Sequence, residues 1–267
     1  MAALVRTKSA IVSSVIAPSI VLRSMRTIAL MTDFGTRDPY VAAMKGVIAS
    51  RCEAHRQECL CHILDLTHDI APFDVWEAAF FLRDIVRYWP AETIFVCVVD
   101  PGVGTARRIL AVESEGRIFL APDNGSLHFV RGNAYEVTNE SFFLPDGSTT
   151  FHGRDRFAPV AAALANGTRI DDLGPRVDDR VPLDYTPGAI IRIDRFGNCI
   201  TDLMPTATPF ALIVNDYRIS DIRTNYSGDG AFLIIGSTGC IEISIAGGSA
   251  ASLLHLSRGD RVAIIPK

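Results

Sequence analysis

The chain has 267 residues, 48% of them hydrophobic and 21% charged, with ordinary Gly and Pro loads, which excludes a disordered, collagen-like or coiled-coil protein. A net charge of −4 leaves no general electrostatic footprint for DNA or RNA, so no nucleic-acid partner is expected. The length suits one large domain, or two smaller ones with a core each.

Residues 1–32 contain no Asp or Glu, while Arg6, Lys8, Arg23 and Arg26 make the stretch basic. Its apolar run, Ala10–Leu22, is interrupted by Ser13, Ser14, Pro18 and Ser19 and is too short to span a bilayer, so no membrane contact is expected. Residues 1–25 read as an extension outside the fold, disordered or produced by a start placed too early, with Met25 as the working start. A signal or transit peptide is the alternative.

From Thr27 onward, short apolar runs alternate with helical periodicity. TIALMT (27–32) reads as a buried strand ending at an Asp-Phe-Gly turn. Pro39 is tolerated in a first helical turn, and Tyr40, Met44, Val47 and Ile48 give that helix its face. HILDL (62–66) is a second strand, and 74–89 an amphipathic helix with Trp76, Phe80, Ile85 and Trp89 inward. TIFVCVV (93–99) carries no charge, as a central strand covered on both faces requires. ILAVES and RIFLAP follow as strands, and 155–165 as a helix. This alternation predicts an α/β layer structure with a mostly parallel sheet over 26–184. After the DYTPG turn, AIIRID, NCITDL, FALIVN, YRIS, AFLIIG, CIEISIA and RVAIIP are short strands, with little helix except near Ala250–Leu254. Residues 185–267 therefore read as a second, all-β domain, a small barrel or sandwich.

Six cysteines (52, 59, 61, 97, 199 and 240) are sparse for a disulfide scaffold, and two lie in apolar runs, so reduced thiols and a cytoplasmic location are expected. The segment Cys52-x-x-His55-x-x-x-Cys59-x-Cys61-His62 fits no common zinc spacing and reads as a helix-to-strand connection; no metal is expected.

Ligands of an open α/β sheet bind beyond the carboxyl ends of its strands. Asp33, Asp100 and Asp123-Asn124 stand there. Gly102 and Gly104 let the chain turn after Asp100 so that Arg107 returns towards the strand end, where a guanidinium keeps a carboxylate ionised and oriented. A structural ion pair is the competing reading. GVGTARR lacks the spacing of a phosphate loop. His152 sits in a polar turn just before a helix and gains chemical meaning only if it meets Asp100 and Arg107 in space. In the second domain, the acid, ring and amide of DRFGN (194–198) could stack on and bond a heterocycle, and GGSAAS (247–252) offers close backbone approach.

Taken together, TDFG with PYV-x-x-MKG, LTH, DPGVGT-x-RR, PDNG, TFHGRD-x-F, FGN and GSAAS occur in the order seen in the S-adenosylmethionine hydroxide adenosyltransferases, which the chain resembles from Met25 onward. That family is related to the fluorinase and chlorinase. The resemblance implies an α/β domain joined to a small β-barrel domain, in a homotrimer whose active sites lie between the first domain of one subunit and the second of its neighbour. It implies attack of water or hydroxide on C5′ of S-adenosylmethionine, giving adenosine and L-methionine. The sulfonium is already a good leaving group, so no cofactor is needed.

By resemblance, Asp100, Arg107 and His152 activate the water, with the proton acceptor left open between Asp100 and His152. Asp33 matches the ribose-binding carboxylate and Phe73 a ring near the ribose, with Asn124 in the substrate-binding set. Asp194 and Asn198 match contacts to methionine and adenine, with Phe196 against the base. Ser237, Glu242, Ser249 and Ala250 fall in the segment that grips adenine and the amino-acid end. The family pattern leaves the Cys- and His-rich connection at 51–62 unexplained. The related halogenases carry uncharged residues in place of the Asp and Arg and lack the histidine, so a halogenase is the nearer rival. A binding protein that turns nothing over is the more distant one.

Overall fold

The computed structural model describes residues 26–53 and 61–267; the 1–25 extension, His55 and Cys59 lie outside the described residues. The first part of the chain forms β1 (Arg26–Thr32), α1 (Tyr40–Glu53), β2 (Cys61–Thr67), α2 (Val75–Ile85), β3 (Ile94–Val98), β4 (Ile109–Ser114), β5 (Arg117–Pro122), β6 (Asn133–Glu136), α3 (Ala158–Ala165) and β7 (Arg176–Val177). Its seven strands make one sheet in the order β2-β1-β3-β5-β4-β6-β7.

The sheet is mixed rather than mostly parallel. The pairings β1–β2, β1–β3 and β3–β5 are parallel, whereas β4–β5, β4–β6 and β6–β7 are antiparallel. The cause is local. Only Glu115 and Gly116 separate β4 from β5, both at positive φ (50° and 72°), and such a tight turn joins antiparallel strands alone.

Period-two alternation sorts the strands' side chains between two cores. Ile28, Leu30, Val96 and Val98 pack with Met44, Ile48, Val160 and Leu164 of α1 and α3. Ala29, Met31, Phe95 and Cys97 face Ala78 and Leu82 of α2. Every residue of β3 is buried, as its uncharged run requires. The 74–89 helix stops at Ile85 and ends in a tighter turn over Val86–Tyr88, and α3 is entered through a π-type turn at Gly153–Phe157.

The second part forms β8 (Ile190–Ile193), β9 (Cys199–Thr201), β10 (Phe210–Val214), β11 (Tyr217–Ile219), β12 (Ile222–Arg223), β13 (Ala231–Ile235), β14 (Ile241–Ile245), α4 (Ala250–Leu253) and β15 (Val262–Pro266). These make two sheets, β11-β10-β15 and β12-β13-β14-β9-β8, around one core that includes Ile190, Leu212, Leu233, Ile243 and Val262. An isolated bridge, Ala189 to Arg261, links them.

Helix α2 joins the two parts. Its Ala79 and Phe80 pack with Leu183, Ile191, Ile200 and Cys240, and Tyr185 meets the Phe80 ring edge-on. Ion pairs from Asp74 to Arg258 and from Asp84 to Arg192 tie both ends of α2 to the second part.

The expectation of reduced thiols needs correction. Cys52, near the end of α1, and Cys61, which opens β2, are joined as a disulfide with their Cα atoms 6.5 Å apart. That separation lies within the range the bond demands. Cys97, Cys199 and Cys240 are free and buried. Among the described residues, no helix is long and apolar enough to cross a membrane.

Candidate active site

The carboxyl ends of β1 and β3 lie side by side, because the two strands pair in parallel from Ile28–Ile94 to Thr32–Val98. Asp100 follows β3 after a single residue. The chain then folds back over Gly102–Thr105, with the Val103 N–H on the Asp100 carbonyl (3.2 Å) and the Thr105 N–H on that of Gly102 (3.1 Å). Gly104 is required at this point: its φ is +80°, and a Cβ there would stand 2.7 Å from the Thr149 carbonyl oxygen.

The return places Arg107 against Asp100. Its Nε donates to both carboxylate oxygens at 2.9 Å, and Nη2 pairs with Oδ2 as well. The two side chains are 10% and 5% exposed, so this pair is screened little by solvent. Nη2 also reaches Nδ1 of His152 at 2.7 Å. The three residues singled out from the sequence therefore form one contiguous cluster. The neighbouring Arg108 serves a different carboxylate, donating to Asp123 from Nε (2.9 Å) and Nη2 (2.6 Å).

The tautomer of His152 follows from its partner. A guanidinium can only donate, so Nδ1 accepts and the ring proton sits on Nε2. That Nε2 is buried and has no hydrogen-bond partner among the described residues. Burial first, then the positive charges of Arg156 and Arg107, lower the His152 pKa to about 4, against the opposing pull of Asp100 and Asp155. The imidazole is accordingly neutral at pH 7, with its proton on the buried Nε2 and its lone pair taken by Arg107. We expect NMR of the ring to show no titration near pH 6.5, with protonation only towards pH 4. Because the folded value lies below the ordinary one, stability from this group is present above about pH 6.5 and is lost as pH falls towards 4. A midpoint between 6 and 7 would contradict this arrangement.

Asp33 faces the same cleft of about 370 Å³, which is lined also by Phe34, Tyr40, Pro72, Phe73, Asp100, Phe151 and His152. Its Oδ2 accepts the Phe73 N–H at 2.8 Å. Burial raises its pKa, partly offset by that bond. Beneath it, the Thr32 hydroxyl bonds His68 Nδ1 at 2.9 Å and accepts the Phe34 N–H, fixing the turn that carries Asp33. Phe34, Tyr40 and Phe151 form an aromatic cluster, with centroids 5.1–6.1 Å apart. The only mark the sequence gives these rings is adjacency, of Phe34 to Asp33 and of Phe151 to His152.

A second cleft of about 640 Å³ is lined by Asp194, Phe196, Asn198, Tyr226, Ile245, Gly247, Gly248 and Ser249. Asp194 builds its rim: Oδ1 accepts the N–H groups of Phe196 and Asn198, and Oδ2 accepts the Asn198 amide, each at 2.9 Å. The Phe196 ring is left 77% exposed. Tyr226, unmarked in the sequence, donates to buried Glu242 at 3.1 Å, and burial raises the Glu242 pKa against that bond. Ser249 lines the cleft while capping α4 through the Ser252 N–H.

Three expected positions fall elsewhere. The Asn124 amide donates to the Val99 carbonyl (2.9 Å) and accepts from Ser126 N–H (3.1 Å), bracing the strand end that carries Asp100 and lining neither cleft. Ser237 gives its carbonyl to Arg87 at 2.7 Å. The Ala250 side chain is buried in the second core. Among the described residues, no group of three or more His, Cys, Asp or Glu side chains could hold a metal ion.

Chemically, the first cleft presents Asp100 and His152 on its floor, with Arg107 bonded to both, and a second carboxylate, Asp33, on its wall. Such a floor can hold and polarise a water molecule against an electrophilic carbon. The second cleft presents an exposed ring beside an amide, which suits a flat, polar-edged group.

Residues 28–174 match the family model described as SAM hydroxide adenosyltransferase N-terminal domain, and residues 188–263 match that of the SAM hydroxide adenosyltransferase C-terminal domain. A protein of Salinispora tropica named (R)-S-adenosyl-L-methionine hydrolase is 36% identical over 262 residues, covering 89% of this chain and 97% of that one. A protein of an Actinoplanes species named fluorinase is 30% identical over 220 residues, covering 67% of this chain and 72% of that one. Among solved structures, an uncharacterized conserved protein from Thermotoga maritima superposes with a TM-score of 0.80 at 29% identity, covering 89% of this chain and 100% of that one.

Proposed function

Because this chain belongs to the SAM hydroxide adenosyltransferase family, we propose that it hydrolyses S-adenosyl-L-methionine at C5′ to adenosine and L-methionine. The observation that carries the reading is the buried Asp100–Arg107–His152 cluster on the cleft floor. Relatives bearing the hydrolase name align over about nine-tenths of this chain, the fluorinases over less.

In this reading a water lies against the cluster, in line with the C5′–S bond. Its oxygen forms the new C5′–O bond while the C5′–S electron pair leaves with sulfur, which becomes the neutral thioether of methionine. The water proton passes to Asp100, the anionic member of the three. His152 does not act as the base, since Arg107 occupies its lone pair; it holds the Arg107 guanidinium in place. Arg107 steadies the growing negative character on oxygen. No cofactor takes part. A halide in the same place would meet the Asp100 carboxylate, which opposes it.

Asp33 and Phe73 would then meet the ribose, and Phe196, Asn198, Glu242 and Ser249 the adenine and amino-acid ends. Residues 26–184 and 185–267 are read as two domains, the second closing as a small barrel. Among the described residues none lines both clefts, and Phe73 and Phe196 are 70% and 77% exposed. A homotrimer that brings the first cleft of one subunit against the second cleft of its neighbour would cover both rings. Light scattering should give a trimer whose activity falls on dilution to the monomer; a fully active monomer would remove this part of the reading. A cytoplasmic location is supported by the free buried thiols of Cys97, Cys199 and Cys240 and opposed by the Cys52–Cys61 bond.

The test is incubation with S-adenosylmethionine, with and without chloride, followed by chromatography. Adenosine and methionine in equal amounts under both conditions support the reading. A 5′-halogenated adenosine, or bound but unchanged substrate, would refute it.

A further inference from the structure

Phe73 stands in the left-handed region, at φ +67°. This is costly for a bulky residue and persists only where its surroundings over-determine it. Burial of its own ring does not offset the cost, because Phe73 is 70% exposed on the wall of the first cleft. Its flanks are held instead. The Phe73 N–H donates to Asp33 at 2.8 Å, and the Ala71 N–H donates to Glu77 Oε2 at 2.9 Å. Asp74 caps α2 by accepting the Glu77 N–H on Oδ1 at 2.8 Å.

The remaining oxygen of Asp74 pairs with Arg258, and the Asp74 side chain is only 10% exposed. Arg258 belongs to the segment after α4, whose capping residue Ser249 lines the second cleft. Its guanidinium also lies over Trp76, 5.4 Å from the ring centroid. A residue of the second part of the chain thus pairs with the immediate neighbour of Phe73, which lines the first cleft. We infer that Arg258 is a positioning residue: by holding Asp74 it keeps the Phe73 ring presented to the nucleoside part of the substrate. The identity of that ligand rests on the function proposed above; the anchoring of the loop does not.

A plain clasp between the two parts of the chain would alter stability alone, so the test separates binding from turnover and from melting. Two variants remove the ion pair by different routes. Arg258→Met keeps the apolar stem, and Asp74→Asn keeps a good helix cap while deleting the charge. Both should raise KM for S-adenosylmethionine and weaken adenosine binding by calorimetry about tenfold, the order expected when one charge-assisted contact is lost. The value of kcat should stay within about twofold, as for loss of uniform binding. Arg258→Lys should recover most of the loss. Phe73→Ala should reproduce it and add little to Arg258→Met, since both act through one ring.

A lowered Tm with unchanged KM and adenosine affinity in both ion-pair variants overturns the inference. If the wild-type protein binds adenosine but does not hydrolyse S-adenosylmethionine, the proposed function fails, and the calorimetry still decides the role of Arg258. Wild-type protein that neither hydrolyses S-adenosylmethionine nor binds adenosine overturns both.

Discussion

Asp100→Asn is expected to lower adenosine formation by about 10²–10⁴-fold while leaving substrate affinity nearly unchanged. The substitution keeps the shape of the side chain but removes the charge that Arg107 neutralises and, in the mechanism proposed, the site that accepts the water proton. It also leaves a guanidinium facing a neutral amide in a place where the pair is almost wholly buried. Equilibrium binding of S-adenosylmethionine, measured beside single-turnover rates, separates the two effects. Normal turnover in this variant would reduce the cluster to a structural ion pair.

Arg107→Ala should be similarly damaging, by about 10²–10⁴-fold in kcat, for two reasons that one residue joins. Arg107 orients Asp100 through Nε and fixes the His152 tautomer through Nη2. Its removal frees Nδ1 and takes away one of the charges that lower the His152 pKa, so the ring should titrate above its value of about 4. His152→Ala should show a comparable loss. The double variant should be little worse than either single one, because all three groups act on one water molecule. Multiplicative losses in that cycle would mean that the residues act at separate steps.

Much of the fold and of the first cleft is legible in the sequence. The uncharged run of β3 announced a strand covered on both faces, and the Gly-rich return after Asp100 announced that Arg107 would come back to it. What the sequence obscured was non-local. Strand β6 and the short β7 and β12 carry no periodicity long enough to register, and their existence depends on neighbours. The Glu115–Gly116 turn was a legible hairpin signal, but the α/β alternation around it suggested parallel pairing.

At the site, the motifs led to the Asp100, Arg107 and His152 cluster but not to the direction of its hydrogen bonds. That direction depends on which nitrogen Arg107 reaches. Asn124 stood at a strand end, as binding residues do, yet its amide is consumed by the backbone beside Asp100. Tyr226 lacked any local mark because its role comes from facing Glu242 across sixteen positions of chain. The Cys52–Cys61 bond was likewise hidden, since only the packing of α1 beside β2 brings the two sulfurs together.

The most direct measurement is the origin of the 5′ oxygen of the product. Turnover of S-adenosylmethionine in ¹⁸O-enriched water, with the adenosine analysed by mass spectrometry, should place one heavy oxygen in each adenosine formed and none in methionine. Unlabelled adenosine, or a label that enters methionine instead, would contradict displacement at C5′ by water.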